Sequence, residues 1–544
     1  MRFQSLWQMP LLLGVAATSF TYAAAPAAVA PAAPVVAAAP APAAGPVDTA
    51  TLMKQIEDLK KQVSTIAYKQ RKAEEKLDAT VKVEDAKIGV LQANQVSAFP
   101  AGYIAIPGSN SAIKIGGRIK ADGTYYAGNN GDTGGGLMNV RTLPLKNSAT
   151  AGGKSGHVNG TVQSSRLQFN SLTQTNKGDV KAQVLLDFYG TQAGNITTTT
   201  TTNSTSTQYG IRVRQAFVTW QNVLAGQTET NFYDDDLMAP ALDNLGGVTT
   251  SQRRAQFRWT QKVADGLSLS VSAEKPNTDY TSQSAVVTGD NSNFGKSPLP
   301  DFTARLRYEG KMGFVSVAGI VRTLQVSVAQ GDTVGSTYIG SSSTSSINTT
   351  AANSFSSKQN GWGLAFAGKL LVAAKSNLHG RVTVGDGLGY LVEDATGQAA
   401  YFQMPTASSS TGSTSNTATR YAARFDTNSV INCVAGYEHW WTEEFRTNIA
   451  GSYTKIKNSP YSPIIYSNAP NIAVGTVPAQ INARIKKVLV NAIYSPVKNI
   501  DVGIELMHGM RETISGVDKY DGSVYYGGAT GKATQIMTSF IYKF

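Results

Sequence analysis

The sequence predicts an all-β transmembrane barrel of about 16 antiparallel strands with an inward-folded third loop, preceded by a periplasmic coiled-coil helix. Three observations predict it. Only 15% of the 544 residues are charged, against about 25% in soluble proteins, yet mean hydropathy is −0.17 and no run of ~20 apolar residues offers a helical span. From residue 111 onward apolar and polar side chains alternate with a period of two, as strands with one lipid-facing and one lumen-facing side require. The last strand keeps this alternation to the final residue, with Ile536, Thr538, Phe540, Tyr542 and Phe544 on one face. Composition excludes other classes. Cys433 is the single cysteine, so there is no disulfide scaffold. A content of 9% aromatics, 23 of them Tyr, argues against disorder throughout.

Residues 1–23 read as an export signal: Arg2 gives a positive start, Met9 to Ala17 a short apolar stretch, and Thr21-Tyr22-Ala23 a signal-peptidase site with Ala23 the last residue removed. The apolar stretch is too short for an anchor. Residues 24–50 are mostly Ala, Pro and Val, and proline at that density blocks helix and gives an extended linker. Residues 51–83 carry heptads, with Ile56, Val63, Gln70 and Leu77 at a and Leu59, Ile66, Ala73 and Thr80 at d. Lys and Glu fill most outer positions. The mixed β-branched seam tolerates a trimer, and Gln70 fixes register; a lone amphipathic helix packed on the barrel is the alternative. Residues 84–110 are a connector and 111–544 the barrel.

In the first barrel strand Ile113, Ile115, Gly117, Ile119, Ala121, Gly123 and Tyr125 share one face, opposite Lys114, Gly116, Arg118, Lys120, Asp122 and Thr124. The pattern recurs at 180–188, 267–274, 302–308 and 445–453. Short turns, such as Asn176-Lys177-Gly178, Ala264-Asp265-Gly266 and Thr442-Glu443-Glu444, separate strands that are otherwise joined by long Ser/Thr/Gly/Asn-rich loops. The loops lie at about 128–162, 190–209, 228–250, 275–300, 326–358, 387–427, 457–480 and 513–532. This gives sixteen strands, although strands 5, 10 and 12 alternate poorly. An even count places both ends on the short-turn side, which is periplasmic in such barrels. Bacterial outer-membrane proteins commonly end in an aromatic at this spacing, and the resemblance implies that Phe540, Tyr542 and Phe544 are an assembly signal read by barrel-assembly machinery.

Sixteen strands enclose a water-filled channel, so function lies in lumen-facing side chains. Of the formal +12, residues 101–544 hold +10, from 38 basic and 28 acidic residues. Lys114, Arg118, Lys120, Arg166, Lys181, Arg212, Arg214, Arg254, Arg258, Arg305 and Arg307 alternate opposite apolar faces and point inward as candidate lumen residues. The bilayer supports this, because each charge facing lipid at mid-depth costs ~2–4 kcal/mol. Basic rings favour anions, and guanidinium groups hold carboxylates bidentately. The structural alternative is that these arginines neutralise an infolded loop. The third loop supplies acids for that: Glu229, Asp234, Asp235, Asp236 and Asp243. Three consecutive aspartates lack the spacing of a calcium loop, so no metal or cofactor is expected.

Ile106-Pro107-Gly108-Ser109-Asn110-Ser111 followed by Ile113-Lys114-Ile115-Gly116-Gly117 resembles the opening of the DcaP-like porin family. Ile211-Arg212-Val213-Arg214-Gln215-Ala216-Phe217, Leu224-Ala225-Gly226-Gln227-Thr228 and Asn231-Phe232-Tyr233-Asp234 are similar to its fourth and fifth strands and constriction loop. Gly385-Asp386-Gly387-Leu388-Gly389, Tyr494-Ser495-Pro496-Val497 and Arg511-Glu512-Thr513 are similar to later blocks, and the resemblance spans roughly 51–544. It implies a trimeric outer-membrane channel with a periplasmic coiled coil that takes up dicarboxylates and other small organic anions, with Arg212, Arg214, Arg254 and Arg258 in matching strands. Two positions depart from the family pattern: Glu229, where an aromatic follows Gly-Gln-Thr, and Tyr390, where an arginine commonly follows Gly-Asp-Gly-x-Gly.

The expected function is a channel for small, preferentially anionic solutes, in a homotrimer surrounded by outer-membrane lipid. A structural or adhesive protein, with the coiled coil on the cell wall and loops on a host surface, is the alternative. An enzyme is not expected: the four histidines form no metal-spaced pair, and there is no Gly-x-Ser-x-Gly elbow. No aromatic-flanked basic cluster points to nucleic acid.

Overall fold

The computed structural model describes residues 49–128, 138–146, 156–190, 210–237, 241–242, 252–282, 294–330, 333–340, 343–350, 354–373, 375–403, 423–460, 481–514, 516–517, 524–526 and 528–544. The export signal, nearly all of the Ala/Pro linker and Asp243 lie outside the described residues. Two units follow, residues 1–91 and 92–544. Helix α1, Thr49–Ala98, lies mostly in the first and runs past the end of the heptads before Phe99-Pro100. In the single chain its seam residues Ile56, Leu59, Val63 and Ile66 are exposed.

The second unit is a closed antiparallel barrel of sixteen spanning strands among the described residues. They are β1 (Ser111–Tyr126), β2 (His157–Thr161 continuing as Arg166–Thr173), β3 (Val180–Gly190), β4 (Gly210–Trp220), β5 (Val223–Glu229), β6 (Arg253–Ala264), β7 (Leu267–Glu274) and β8 (Asp301–Gly310). The circuit continues with β9 (Gly313–Val328), β10 (Phe355–Ala373), β11 (Ser376–Asp386), β12 (Ser429–Trp440), β13 (Phe445–Lys457), β14 (Asn482–Val497), β15 (Ile500–Thr513) and β16 (Thr530–Lys543). Each strand pairs with its sequence neighbour, and β16 closes on β1 in the register Tyr542↔Ile119 to Gln535↔Tyr126. The terminal residue completes the seam: the Phe544 amide donates to the Gly117 carbonyl at 3.1 Å, and the Gly117 amide donates to that of Phe544 at 3.0 Å. Closure leaves no edge strand.

Alternation places every face. On β1, Ile113, Ile115, Ile119 and Tyr125 are exposed on the outer surface, while Lys120, Asp122, Thr124 and Tyr126 are buried inside. Phe540, Tyr542 and Phe544 also lie on the outer surface. The short turns use glycine where the backbone needs positive φ, as at Gly178 (102°) and Gly266 (73°).

Strand β5 has only seven residues, and Gly226 sits there at φ 129° with its missing Cβ position 2.3 Å from the Ala216 carbonyl oxygen. A branched side chain at this point pushes β4 and β5 apart. Gly226→Val is therefore expected to lower the yield of folded barrel at least about threefold, the cost of ~1–3 kcal/mol of backbone strain plus the clash. Heat-modifiable migration on a gel measures it.

Candidate functional site

The interior is not an open tube. Four long connections fold into it among the described residues, the fourth, between β7 and β8, through Tyr280 on the inward residues Leu324, Val326 and Val328. From the first, between β1 and β2, Met138, Val140 and Leu143 pack on the inward residues Val434, Ala450, Leu489, Met507 and Ala533. From the third, between β5 and β6, Phe232 and Tyr233 pack on Ala318, Ile320 and Ala365, and Leu242 reaches Ile493 and Met537 on the far wall. From the sixth, between β11 and β12, Leu388, Leu391 and Val392 join the same cluster as Phe232. Its later residues Ala400–Gln403 pair with Tyr280–Ser282 of the fourth connection and with Arg424–Thr427. The inner wall of β9 to β16 is thus largely covered by apolar side chains and infolded backbone.

Arginines hold this infill. Arg511 donates from Nε to the Leu143 carbonyl at 2.5 Å and from Nη1 to the Arg141 carbonyl at 2.8 Å. Arg322 donates to the carbonyls of Gly387 (2.8 Å) and Leu388 (2.9 Å), and also to Asn277. Arg381 stacks over the Tyr233 ring at 4.0 Å, and Arg322 over Tyr390 at 4.9 Å. Lys487 pairs with Asp394 at 2.8 Å. The sixth connection is also held by Asp279, whose Oδ2 accepts the amides of Tyr390 (3.0 Å) and Gly397 (2.8 Å); burial pushes that carboxyl up to about 6.

The candidates from the sequence divide accordingly. Arg254 is buried, donating to Glu274 (3.2 Å), Asp301 (2.6 Å) and the Lys275 carbonyl. Lys120 is buried against Asp122. Arg305 donates to the Tyr233 carbonyl at 2.7 Å. Arg307 bridges Asp234 (2.6 Å) and Asp236 (2.7 Å) and lies over Phe314. Arg258 donates to Gln256 and to the Glu229 carbonyl. These groups are committed to the third connection or to their own wall. Glu229 itself ends β5 rather than lying in the loop, 3.7 Å from Arg253. Asp234 is buried, and Asp235 and Asp236 are exposed.

A second group, on the inner wall of β1 to β4, is only partly buried. Arg118 and Arg166 are half-buried, Arg118 donating to the Ser164 carbonyl at 3.3 Å; Arg166 has no ion pair among the described residues, with Arg118, Arg214 and Arg253 near it with like charge and Asp187 opposite it in register. Arg212 and Arg214 share Asp187, each with a nitrogen 2.7 Å from Oδ2. A bulge at Leu185/Leu186 skips Arg214 in the pairing of β3 with β4. Toward the short turns follows a neutral row: Gln168 donates to Asn170 (3.1 Å) and Gln183 (3.3 Å), and Gln183 to Gln215 (2.6 Å). Lys114 and Lys181 are exposed near the short-turn ends of β1 and β3. The inner wall of β1 to β4 therefore runs from guanidinium groups through amides to ammonium groups.

That wall, on a closed sixteen-strand barrel, meets an independent finding: the family model for DcaP outer membrane proteins matches residues 43–354. This chain belongs to the DcaP outer membrane protein family. The family is one of porins, so the barrel is an outer-membrane channel. No curated protein matches the sequence. The crystal structure of the outer membrane channel DcaP of Acinetobacter baumannii is similar in fold, with TM-score 0.53 and 19% identity, over 82% of this chain and 100% of that one. The anion-selective porin from Comamonas acidovorans has TM-score 0.42 and 9% identity, over 80% and 100%. OmpT of Vibrio cholerae, in its trimer form, has TM-score 0.41 and 8% identity, over 80% and 99%.

Sequence reasoning missed Arg322, Arg381 and Arg511 and the infolding of the first and sixth connections. The signal available was apolar residues inside loops: Met138, Val140, Leu143 and Leu145, and Leu388, Leu391 and Val392. The amide row was missed because neutral residues carry no charge pattern.

The two arginine groups separate experimentally. Removing one partner of a buried ion pair costs ~3–5 kcal/mol, so Arg254→Gln is expected to lower thermal stability strongly. Arg166→Gln is expected to leave stability within about 0.5 kcal/mol while reducing anion over cation permeability. Thermal unfolding and reversal potentials on both variants check this.

Proposed function

We propose that the chain is a diffusion channel for small organic anions, carboxylates foremost, and that it works as a homotrimer. One observation carries this reading. Arg118, Arg166, Arg212, Arg214 and Arg253 outnumber Asp187 and Glu229, with which Arg212, Arg214 and Arg253 pair. A lumen lined by surplus guanidinium groups concentrates anions, and the planar fork matches a carboxylate in two parallel hydrogen bonds. Mutual repulsion among these groups falls when a solute carboxylate enters. The neutral amides below would replace lost hydration without holding the charge, so the solute can leave.

The rest of the reading follows the chain. Trimerisation would cover the exposed seam of α1, whose Ile56, Leu59, Val63 and Ile66 have no reason to face water in the mature assembly. With both barrel ends at the short-turn rim, α1 would lie in the periplasm. The aromatic end, Phe540, Tyr542 and Phe544, would be read by the barrel-assembly machinery.

Planar-bilayer recording in a salt gradient tests the reading. A reversal potential on the anion side is expected, with current reduced by millimolar succinate. Cation preference would overturn it.

A further inference from the structure

The outer surface of the barrel carries charge in one sector that the channel does not use. On β13, Lys455 and Lys457 share the outward face with Ile449 and Tyr453. On β14, Arg484 and Lys486 continue the outward row of Val488 and Val490. On β16, Lys532 lies outward above Ile536. Register aligns them across strands: Lys455 opposite Arg484, Arg484 opposite Glu512, Lys486 opposite Met510, and Met510 opposite Lys532. Glu512 of β15 accepts from Arg484 at 2.8 Å and from Lys486 at 3.0 Å, yet both cations keep about half of their side chains exposed, 50% and 47%. Five basic groups and one acid thus occupy four adjacent strands.

Their depth is set by the same strands. From Tyr494, outward near the short turns, to Lys486 is eight residues, a rise of ~26 Å along a strand tilted about 40°, or ~20 Å along the barrel axis. That is close to the ~25 Å height of the apolar band of such barrels. The cations therefore stand at the long-loop edge of the hydrocarbon, directly above Val488, Val490, Leu506 and Ile536, which face lipid tails. The sector is particular. Near the same rim the outward residues of β2, β4 and β6 are Val158, Ile211 and Phe257, and the two lysines beside β9, Lys296 and Lys358, are held apart by neutral Gln325 rather than clustered.

We propose that the outer face of β13 to β16 is a binding site for a phosphorylated lipid headgroup of the outer leaflet. Charge complementarity and continuity with the apolar rows identify the occupant: phosphates meet Lys455, Lys457, Arg484, Lys486 and Lys532 while the acyl chains of the same molecule cover Val488, Val490, Leu506 and Ile536. Glu512 spaces Arg484 and Lys486 and keeps them splayed toward the headgroup.

The test uses the full chain purified in detergent, with diphosphoryl lipid A as the probe and the same lipid stripped of its phosphates as control, bound lipid being read by native mass spectrometry. The wild type is expected to prefer the diphosphoryl form, with the preference shrinking as salt is raised. The variant K455Q/K457Q/K486Q/K532Q is expected to lose about fivefold in affinity per charge removed, with conductance unchanged because the residues lie outside the lumen. Lysine-to-arginine replacement at the same positions is expected to retain binding. Equal binding of both lipids by the wild type, or undiminished binding by the Gln variant, overturns the proposal. A Gln variant that loses its oligomeric state with lipid binding intact also overturns it, and assigns the face to contact between copies. If the Gln variant does not fold, the wild-type phosphate preference and its salt dependence decide alone.

Discussion

A charge that faces lipid at mid-depth costs ~2–4 kcal/mol, falling to ~0–1 near the interface. That penalty sorts the side chains of all sixteen strands. It drives Arg118, Arg166, Arg254, Arg305, Arg322, Arg381 and Arg511 inward, and it allows Lys455, Arg484, Lys486 and Lys532 outside only at the rim. Closure of β16 on β1 is the second half of the same constraint, since unpaired backbone cannot face hydrocarbon. Once the arginines are inside, they need partners, and the interior is organised by how each one finds them.

Some of the partners are chain. Arg322 and Arg511 donate to carbonyls of the sixth and first connections, Arg305 to one of the third, and Arg254 to Glu274 and Asp301. These bonds, with the apolar contacts of Met138, Phe232, Leu242 and Leu388, cover much of the wall from β9 to β16. On the inner wall of β1 to β4 the arginines instead exceed the carboxylates beside them. Infolded loops and, in the reading proposed above, a lumen that concentrates anions are two outcomes of one surplus of inward arginine.

The sequence made the barrel legible because period two follows from the bilayer alone. It also held a clue in its irregularities. Strand β12 alternates poorly because Val430 and Val434 face infolded loops while Ile431 faces lipid, so both faces are apolar. Strand β10 does so because Gly361, Gly363 and Ala365 must be small inside; a Cβ on Gly363 would come within 2.7 Å of Leu388 and 3.0 Å of Phe232. Strand β5 is short and needs glycine at Gly226, where φ is 129° and β4 approaches closely. What period two could not separate was Arg166 from Arg254. Both sit at inward parity, and the difference lies in Glu274 and Asp301, placed beside Arg254 only by tertiary structure. The heptads of 51–83 were legible as helix, which α1 is.

The central claim is that solute moves along the wall of β1 to β4 and not along the covered wall of β12 and β13. Single-cysteine accessibility in a Cys433→Ser background measures this directly. A charged methanethiosulfonate reagent applied during single-channel recording should block current in Gln183→Cys and leave it unchanged in Val434→Cys and Ala450→Cys. Block from Val434→Cys or Ala450→Cys, with none from Gln183→Cys, would contradict the account.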